Sequence, residues 1–147
     1  MIFIFFCVTL QDYIKHFNED KFIQGSLSDG IAKSVEKSKV NERDDFRISS
    51  IWKEQKCYIY STELKKVFSI GDDEKLKYED KAEGKESERF GVVAIGPKTY
   101  VFKNNNKCIE YDKSSDTYLA KECSLSDNQK FIILYKIGDN NIVTEFE

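Results

Sequence analysis

Few side chains of this 147-residue sequence have the chemistry of catalysts or metal ligands. The chain has one histidine, His16, which lies near the acidic residues Glu19 and Asp20 in a segment typical of a hairpin turn. No further ligands stand near it at metal-site spacing, so we expect a surface histidine. The sequence has no glycine-rich phosphate loop, no nucleophile elbow and no recognisable pair of catalytic acids. We therefore expect a protein that is not an enzyme and that needs neither a metal nor another cofactor.

Cysteine is the other reactive residue type, with four copies in the chain. Cys108 and Cys123 are 15 residues apart, and a disulfide between them would contribute about 3 kcal/mol if the protein is exported. In a reducing compartment the cysteines would instead be buried thiols. Cys57 is expected to pack as a small hydrophobe in either case. No pair has the CxxC spacing typical of zinc and redox sites.

The first ten residues differ from the rest of the chain, because residues 2–10 form an uncharged apolar run that ends before Asp12. A helix that spans a membrane needs about 20 apolar residues, whereas the apolar part of a secretory signal needs about 7 to 15. The run therefore predicts a signal peptide over residues 1–10, a secreted protein and no integral membrane segment. A buried first strand is the alternative interpretation. Residues 12–147 then form a single domain.

Composition narrows the class of partner. With 40% hydrophobic residues, eight tyrosines and eleven phenylalanines the chain can bury a core, which excludes wholesale disorder. The formal net charge is −3, and no dominant basic block is present. Binding to a nucleic-acid backbone needs clustered lysine and arginine, so we expect no nucleic-acid partner.

Repetition is the main structural signal. Residues 13–23, 51–59 and 101–109 each place two apolar arms around a short polar stretch, a pattern that predicts a β-hairpin. The second and third copies share a lysine followed by a cysteine, which aligns Cys57 with Cys108. The lysine-rich segments 33–42 and 79–89 lack the apolar spacing of a helix, so we expect loops or strand ends there.

A second repeated feature follows each hairpin copy. Three phenylalanines recur at roughly forty residues, and each has an acidic or amide residue two positions before it. The pairs are Asp44 with Phe46, Glu88 with Phe90, and Gln129 with Phe131. Three such units with several short strands each predict an all-β fold of three pseudo-equivalent units. Residues 132–135 and 142–146 resemble one extra hairpin arm. Either this arm or residues 13–17 could complete the first unit, and we expect the two ends of the chain to meet.

The third unit resembles a known family. It contains the segments KCIEY (107–111), YLAKEC (118–123) and NQKF (128–131). These are similar to the cysteine–apolar–acid strand, the second half-cystine and the Gln-x-Trp box of the ricin B-type lectins. The resemblance extends over residues 12–147 and is most specific in this unit. It implies a β-trefoil of three pseudo-repeats, in which Phe46, Phe90 and Phe131 would meet in one core.

The resemblance also implies a sugar site. In that family a carboxylate, an amide and an aromatic ring together hold the sugar, and these positions correspond here to Glu110, Asn128 and Lys121, with Gln129 of the box beside them. Lys121 stands where the ring is expected, so Tyr111 or Tyr118 would have to replace it. The second unit has Ile59 at the acid position under this alignment. At most one site, in the third unit, is therefore expected.

Three functions follow as alternatives. The first is a secreted, non-catalytic carbohydrate-binding module whose partners are glycans or glycoproteins. The second is a trefoil that has lost sugar binding and contacts a protein partner through its loops. The third, an enzyme, is disfavoured because no catalytic constellation is visible.

Overall fold

The computed structural model describes residues 12–25, 29–51, 53–136 and 143–145, and in this part of the chain all regular structure is β-strand or short 3-10 turn. The strands are β1 (Asp12–His16), β2 (Lys21–Ile23), β3 (Ser34–Glu36), β4 (Phe46–Ile51), β5 (Lys56–Ser61), β6 (Lys66–Ile70), β7 (Leu76–Glu79), β8 (Gly91–Gly96), β9 (Thr99–Asn104), β10 (Lys107–Asp112), β11 (Thr117–Glu122), β12 (Phe131–Lys136) and β13 (Val143–Glu145). The all-β prediction is confirmed. The signal-peptide prediction for residues 1–10 lies outside the described residues.

Six strands close into a barrel. Backbone pairing runs from β12 to β1, β4, β5, β8 and β9 and returns to β12. Because these six strands form a closed ring, each of them has a paired neighbour on both sides. The remaining strands of the three units form the hairpins β2–β3, β6–β7 and β10–β11.

The threefold repetition is visible in the strand pairing. In each unit the repeated phenylalanine begins or directly precedes the last barrel strand, and it pairs with a residue of the first barrel strand. The pairs are Asp12 with Phe46, Cys57 with Phe90, and Tyr100 with Phe131. A 3-10 turn precedes each of these phenylalanines, at Glu42–Asp44, Glu86–Glu88 and Asp127–Gln129. A six-stranded barrel with three equivalent hairpins is the β-trefoil, as the family resemblance implied.

The hairpins contact one another around the same axis. The amide of Tyr78 donates to the Gly30 carbonyl (2.8 Å), the amide of Ala120 donates to the Glu74 carbonyl (2.9 Å), and the amide of Ser34 donates to the Asp116 carboxylate (3.1 Å). The three acceptors all have positive φ, at 76°, 67° and 54°. The first and third hairpins are thus joined by a side chain where the other two junctions use backbone.

The core confirms the prediction made from the repeated phenylalanines. Phe46, Phe90 and Phe131 are fully buried and belong to one hydrophobic cluster. Phe68 lies between two of them, with ring centroids 5.0 Å from Phe46 and 6.4 Å from Phe90. Phe102 packs at 5.4 Å from Phe131. Aromatic rings of this size dominate the energetics of a small core.

The alignment of the second unit was wrong. The segments 13–23 and 101–109 are the β1–β2 and β9–β10 hairpins inside their units, but 51–59 is the β4–β5 hairpin that joins two units. The strand pairing shows that Val67, and not Cys57, corresponds to Cys108. Each of these two residues pairs with the first barrel strand of its own unit, and each stands two residues before the acid position. The acid position of the second unit is therefore Ser69 rather than Ile59, and that of the first is Gln24.

The two ends of the described barrel lie side by side. β1 pairs with β12 along its whole length, so the N-terminal arm completes the first unit. β13 is the extra arm and pairs with the other edge of β12. None of the described helical turns is long and apolar enough to cross a membrane.

Candidate functional site

Gln129 is the centre of the candidate site in the third unit. Its side chain is fully buried and makes four hydrogen bonds. The amide oxygen accepts from the backbone amides of Ser124 (2.9 Å) and Leu125 (3.2 Å). The amide nitrogen donates to the Glu122 carbonyl (2.9 Å) and to Oε1 of Glu110 (3.0 Å). Only an amide both donates and accepts in this way, so the glutamine fixes the loop and the carboxylate together.

Glu110 lies on β10 and is half-buried. Because one of its oxygens accepts from Gln129, the carboxylate is held in one orientation while capacity to accept further hydrogen bonds remains. Asn128 is exposed in the turn directly before Gln129, and Lys121 is exposed on β11. The structure thus places Glu110 against Gln129, with Asn128 adjoining in the chain and Lys121 on the neighbouring strand.

Neither Tyr111 nor Tyr118, the two tyrosines that could replace the ring, provides an aromatic platform here. Tyr111 and Tyr118 are both buried, so their rings face the core and not the surface around Glu110. Residues opposite one another on antiparallel strands share a face, and Glu110 is opposite Leu119. Lys121 lies two residues further along that face. The site therefore offers aliphatic and ammonium groups where the family pattern has a ring.

A disulfide between Cys108 and Cys123 is present, as the sequence allowed. Cys108 lies two residues before Glu110 on β10, and Cys123 begins the loop that leads to Gln129. The bond therefore fastens the loop to the strand that carries the carboxylate. Cys57 is buried on β5, consistent with packing as a small hydrophobe.

The second unit has a different group at each of these positions. Glu88 replaces the glutamine and is buried, with Oε1 accepting from the Ala82 amide at 2.9 Å. Burial raises the pKa of Glu88, and a hydrogen bond with Glu79 acts in the same direction. Ser69 stands at the acid position and donates to the Ser87 hydroxyl (3.1 Å). This unit lacks the carboxylate-and-amide pair of the third.

The first unit also lacks that pair. Asp44 takes the place of the glutamine, and its two oxygens accept from the amides of Gly25 (3.0 Å) and Asn41 (3.1 Å). Burial raises the pKa of the Asp44 carboxyl. Of the three units, only the third has a carboxylate at the acid position and a neutral amide at the box position.

The prediction of a surface histidine was wrong. His16 ends β1 and is only 3% exposed. Its Nε2 shares a 2.7 Å hydrogen bond with the Tyr118 hydroxyl, and its ring lies 4.4 Å from that of Tyr111. The signal was present in the sequence, since His16 follows Ile14 by two residues and the two share a strand face. The turn begins one residue later than expected, at Phe17.

Comparison with known proteins supports the fold. No protein-family model matches the chain, and no curated protein matches it. Among solved structures, the designed threefold-symmetric protein ThreeFoil is 13% identical with a TM-score of 0.71, over 86% of this chain and 99% of its own. SeviL, solved with asialo-GM1 saccharide, is 11% identical with a TM-score of 0.71, over 88% and 100%. The exo-β-1,3-galactanase 1,3Gal43A of Clostridium thermocellum is 12% identical with a TM-score of 0.74, over 87% of this chain but 30% of its own. At these identities the likeness establishes the β-trefoil fold.

Proposed function

We propose that this protein is a non-catalytic carbohydrate-binding module with one shallow site in its third unit. The observation that carries the proposal is the hydrogen bond from the Gln129 amide to Glu110. It holds a partly exposed carboxylate at the surface in a fixed orientation, and the same glutamine fixes the adjoining loop. A site whose groups are already positioned loses less free energy on ordering when it binds.

The chemistry of the three side chains suits a sugar. The Glu110 carboxylate accepts hydrogen bonds from neighbouring hydroxyls, and charge-assisted bonds of this kind are stronger than neutral ones. The exposed Asn128 amide both donates and accepts, and the Lys121 ammonium donates to a hydroxyl or ring oxygen. With no ring to stack on the sugar, a single site of this kind is expected to bind in roughly the millimolar to high micromolar range. Avidity would then require several copies.

The structural neighbours favour the same function. One of the matching structures was solved with a bound saccharide. Another match is to about a third of an exo-β-1,3-galactanase, and a third is to 33% of an endo-β-galactosidase from Clostridium perfringens. A trefoil of this size thus occurs both alone and within larger enzymes that act on glycans. These neighbours support the proposal that this chain binds glycans or glycoproteins.

A glycan array followed by titration tests the proposal. Wild-type protein is expected to select a subset of glycans, and Glu110→Ala is expected to abolish that binding while the circular dichroism spectrum is unchanged. Glu63→Ala is the matched control, since Glu63 is an exposed carboxylate in the β5–β6 turn of another unit. Binding that survives in Glu110→Ala, or an array without any positive glycan, would contradict the proposal.

A protein-interaction module is the second candidate. It is favoured by the burial of Tyr111 and Tyr118, which leaves the site without an aromatic platform. In that case the loops of the rigid barrel would contact a protein partner. A blank array together with a partner whose binding is lost on substitution of the 123–128 loop would favour this candidate.

Secretion is part of the proposal. The Cys108–Cys123 disulfide favours an oxidising compartment, and the apolar run before Asp12 favours export. Mass mapping of the natural protein under non-reducing conditions tests both points. We expect a peptide that begins after residue 10 and a linked pair that contains the two cysteines.

A further inference from the structure

A pocket of about 440 Å³ lies between the turn after β1, the β8–β9 turn and the loop that follows β11. Its walls include Phe17, Leu125, Lys130 and the β8–β9 turn at residues 95–97. Two of the three large hydrophobic side chains that are exposed in the described part of the chain line it, Phe17 at 38% and Leu125 at 51%. A volume of this size is within the range of small-molecule sites.

The walls of the pocket are held by hydrogen bonds. The Phe17 amide donates to the Lys130 carbonyl (3.1 Å), and the Thr99 hydroxyl donates to the Pro97 carbonyl (2.9 Å). Leu125 has a positive φ of 57°, and its amide donates to Gln129. Such backbone is uncommon for a large side chain and persists where the surroundings fix it. The backbone of Leu125 therefore holds its exposed side chain in a fixed position at the pocket.

The charge at the pocket favours a neutral occupant. Lys130 is the one charged residue in its lining, and its ammonium lies 5.0 Å from the centre of the Phe17 ring. The same ammonium pairs with Asp127 at 3.3 Å. Because that positive charge is already balanced, the pocket has no unpaired cation to attract an organic anion such as a fatty acid.

Gln129 connects the pocket to the proposed sugar site. Its nitrogen donates to Glu110 and its oxygen accepts from the Leu125 amide. The Glu110 carboxylate and the Leu125 backbone are therefore within about 9 Å, the span of two hydrogen bonds and one amide group. A sugar ring with its glycosidic oxygen covers a distance of this order.

From this juxtaposition we infer that the pocket receives the apolar aglycone of a glycoside whose sugar is bound at Glu110. The ligand class is a neutral glycoside whose aglycone is an alkyl or aryl group, such as a neutral glycolipid. The inference rests on the proposed carbohydrate-binding function. Apolar contact with Phe17 and Leu125 would supply affinity that a site without a sugar-stacking ring otherwise lacks.

The test compares methyl and octyl β-D-glycosides of galactose, glucose and mannose, with 1-octanol as the apolar group alone. Binding is followed by amide chemical-shift titration below the concentration at which octyl glycosides form micelles. We expect the octyl glycoside of the preferred sugar to bind at least about tenfold tighter than the methyl glycoside, since each buried methylene adds affinity. Shifts at Leu125 and Phe17 are expected with the octyl form only.

Two variants identify the pocket as the source of the gain. Leu125→Ala is expected to remove most of the extra affinity for the octyl glycoside while the affinity for the methyl glycoside is unchanged. Phe17→Ser is a second variant that removes an apolar wall of the pocket. Val93→Ala is the matched control, because Val93 is 40% exposed and does not line the pocket. A tenfold gain that persists in Leu125→Ala would overturn the inference.

Other outcomes separate the inference from the function on which it rests. Equal affinity for methyl and octyl glycosides would overturn the inference and leave sugar binding intact. Binding of 1-octanol as tight as that of the octyl glycoside would also overturn it, because the pocket would then act without a sugar. A blank glycan array with no glycoside binding would overturn both.

Discussion

Protonation of His16 should destabilise the fold below neutral pH. The ring is buried against Tyr111, Tyr118 and Phe131, and it shares a hydrogen bond with the Tyr118 hydroxyl. Burial lowers the pKa of His16 from its usual 6.5 to about 4, and the nearby charges of two lysines act in the same direction, while Asp116 opposes them. The folded protein therefore holds a neutral imidazole where the unfolded chain binds a proton.

The size of the effect follows from these two values. Stability falls as the pH drops below 6.5, because only the unfolded state gains the proton until the pH approaches 4. The loss attributable to His16 is about 1 kcal/mol at pH 5.5 and roughly 2 to 3 kcal/mol at pH 4.5. Below pH 4 the loss levels off near 3 kcal/mol, since both states are then protonated.

A variant is needed to isolate this contribution. The raised pKa values of Asp44 and Glu88 have the opposite effect, because these carboxyls gain protons more readily in the folded state. His16→Asn is a suitable reference, since the third unit has Asn104 at the corresponding position. Urea unfolding followed by circular dichroism at pH 7.5, 5.5 and 4.5 gives the difference between wild type and variant. A difference that stays constant over this range would refute the reasoning.

Three further perturbations test the packing and the site. Gly25→Ala would place a Cβ 2.3 Å from the Arg43 carbonyl oxygen, so we expect a loss of about 2 kcal/mol or more in urea unfolding. Cys108→Ser with Cys123→Ser should cost about 3 kcal/mol in the same assay and weaken glycan binding by freeing the loop, whereas unchanged stability would argue against the bond. Gln129→Glu should lower stability by about 2 kcal/mol, because it loses two donated hydrogen bonds and places a second carboxylate against the first. Adding Glu110→Gln should recover about 1 kcal/mol of that loss, and a double variant no more stable than the single one would contradict this.

The sequence predicted the features that depend on one strongly specified position in each unit. The regular spacing of Phe46, Phe90 and Phe131 identified the three units. Because three large aromatic rings are best buried together, the same residues also indicated the core. The same holds for Gln129, whose neutral amide before a buried ring satisfies both donors and acceptors. Cys108 and Cys123 could be paired because they are 15 residues apart, with polar, turn-prone residues between them.

The register of the second unit could not be predicted, for a physical reason. A hairpin within a unit and a hairpin between units have the same signal of two apolar arms around polar turn residues. Because both segments contain a lysine followed by a cysteine, the sequence favoured aligning Cys57 with Cys108, whereas the strand pairing aligns Val67 with Cys108. The pocket beside Leu125 was also invisible, because it is built from segments that are distant in sequence.

Charge explains why a surface carboxylate at the acid position occurs only in the third unit. In the first and second units the box residue is itself an acid, Asp44 or Glu88, and the residue at the acid position is neutral, Gln24 or Ser69. In the third unit the box residue is the neutral Gln129, and Glu110 carries the charge. Two carboxylates within hydrogen-bonding distance cannot both ionise without a large cost, and where the second unit does bring two together, the contact with Glu79 raises the pKa of Glu88. A buried amide thus allows the charge to lie on the outer residue Glu110, whereas in the other two units the acid is the buried box residue and accepts hydrogen bonds from backbone amides.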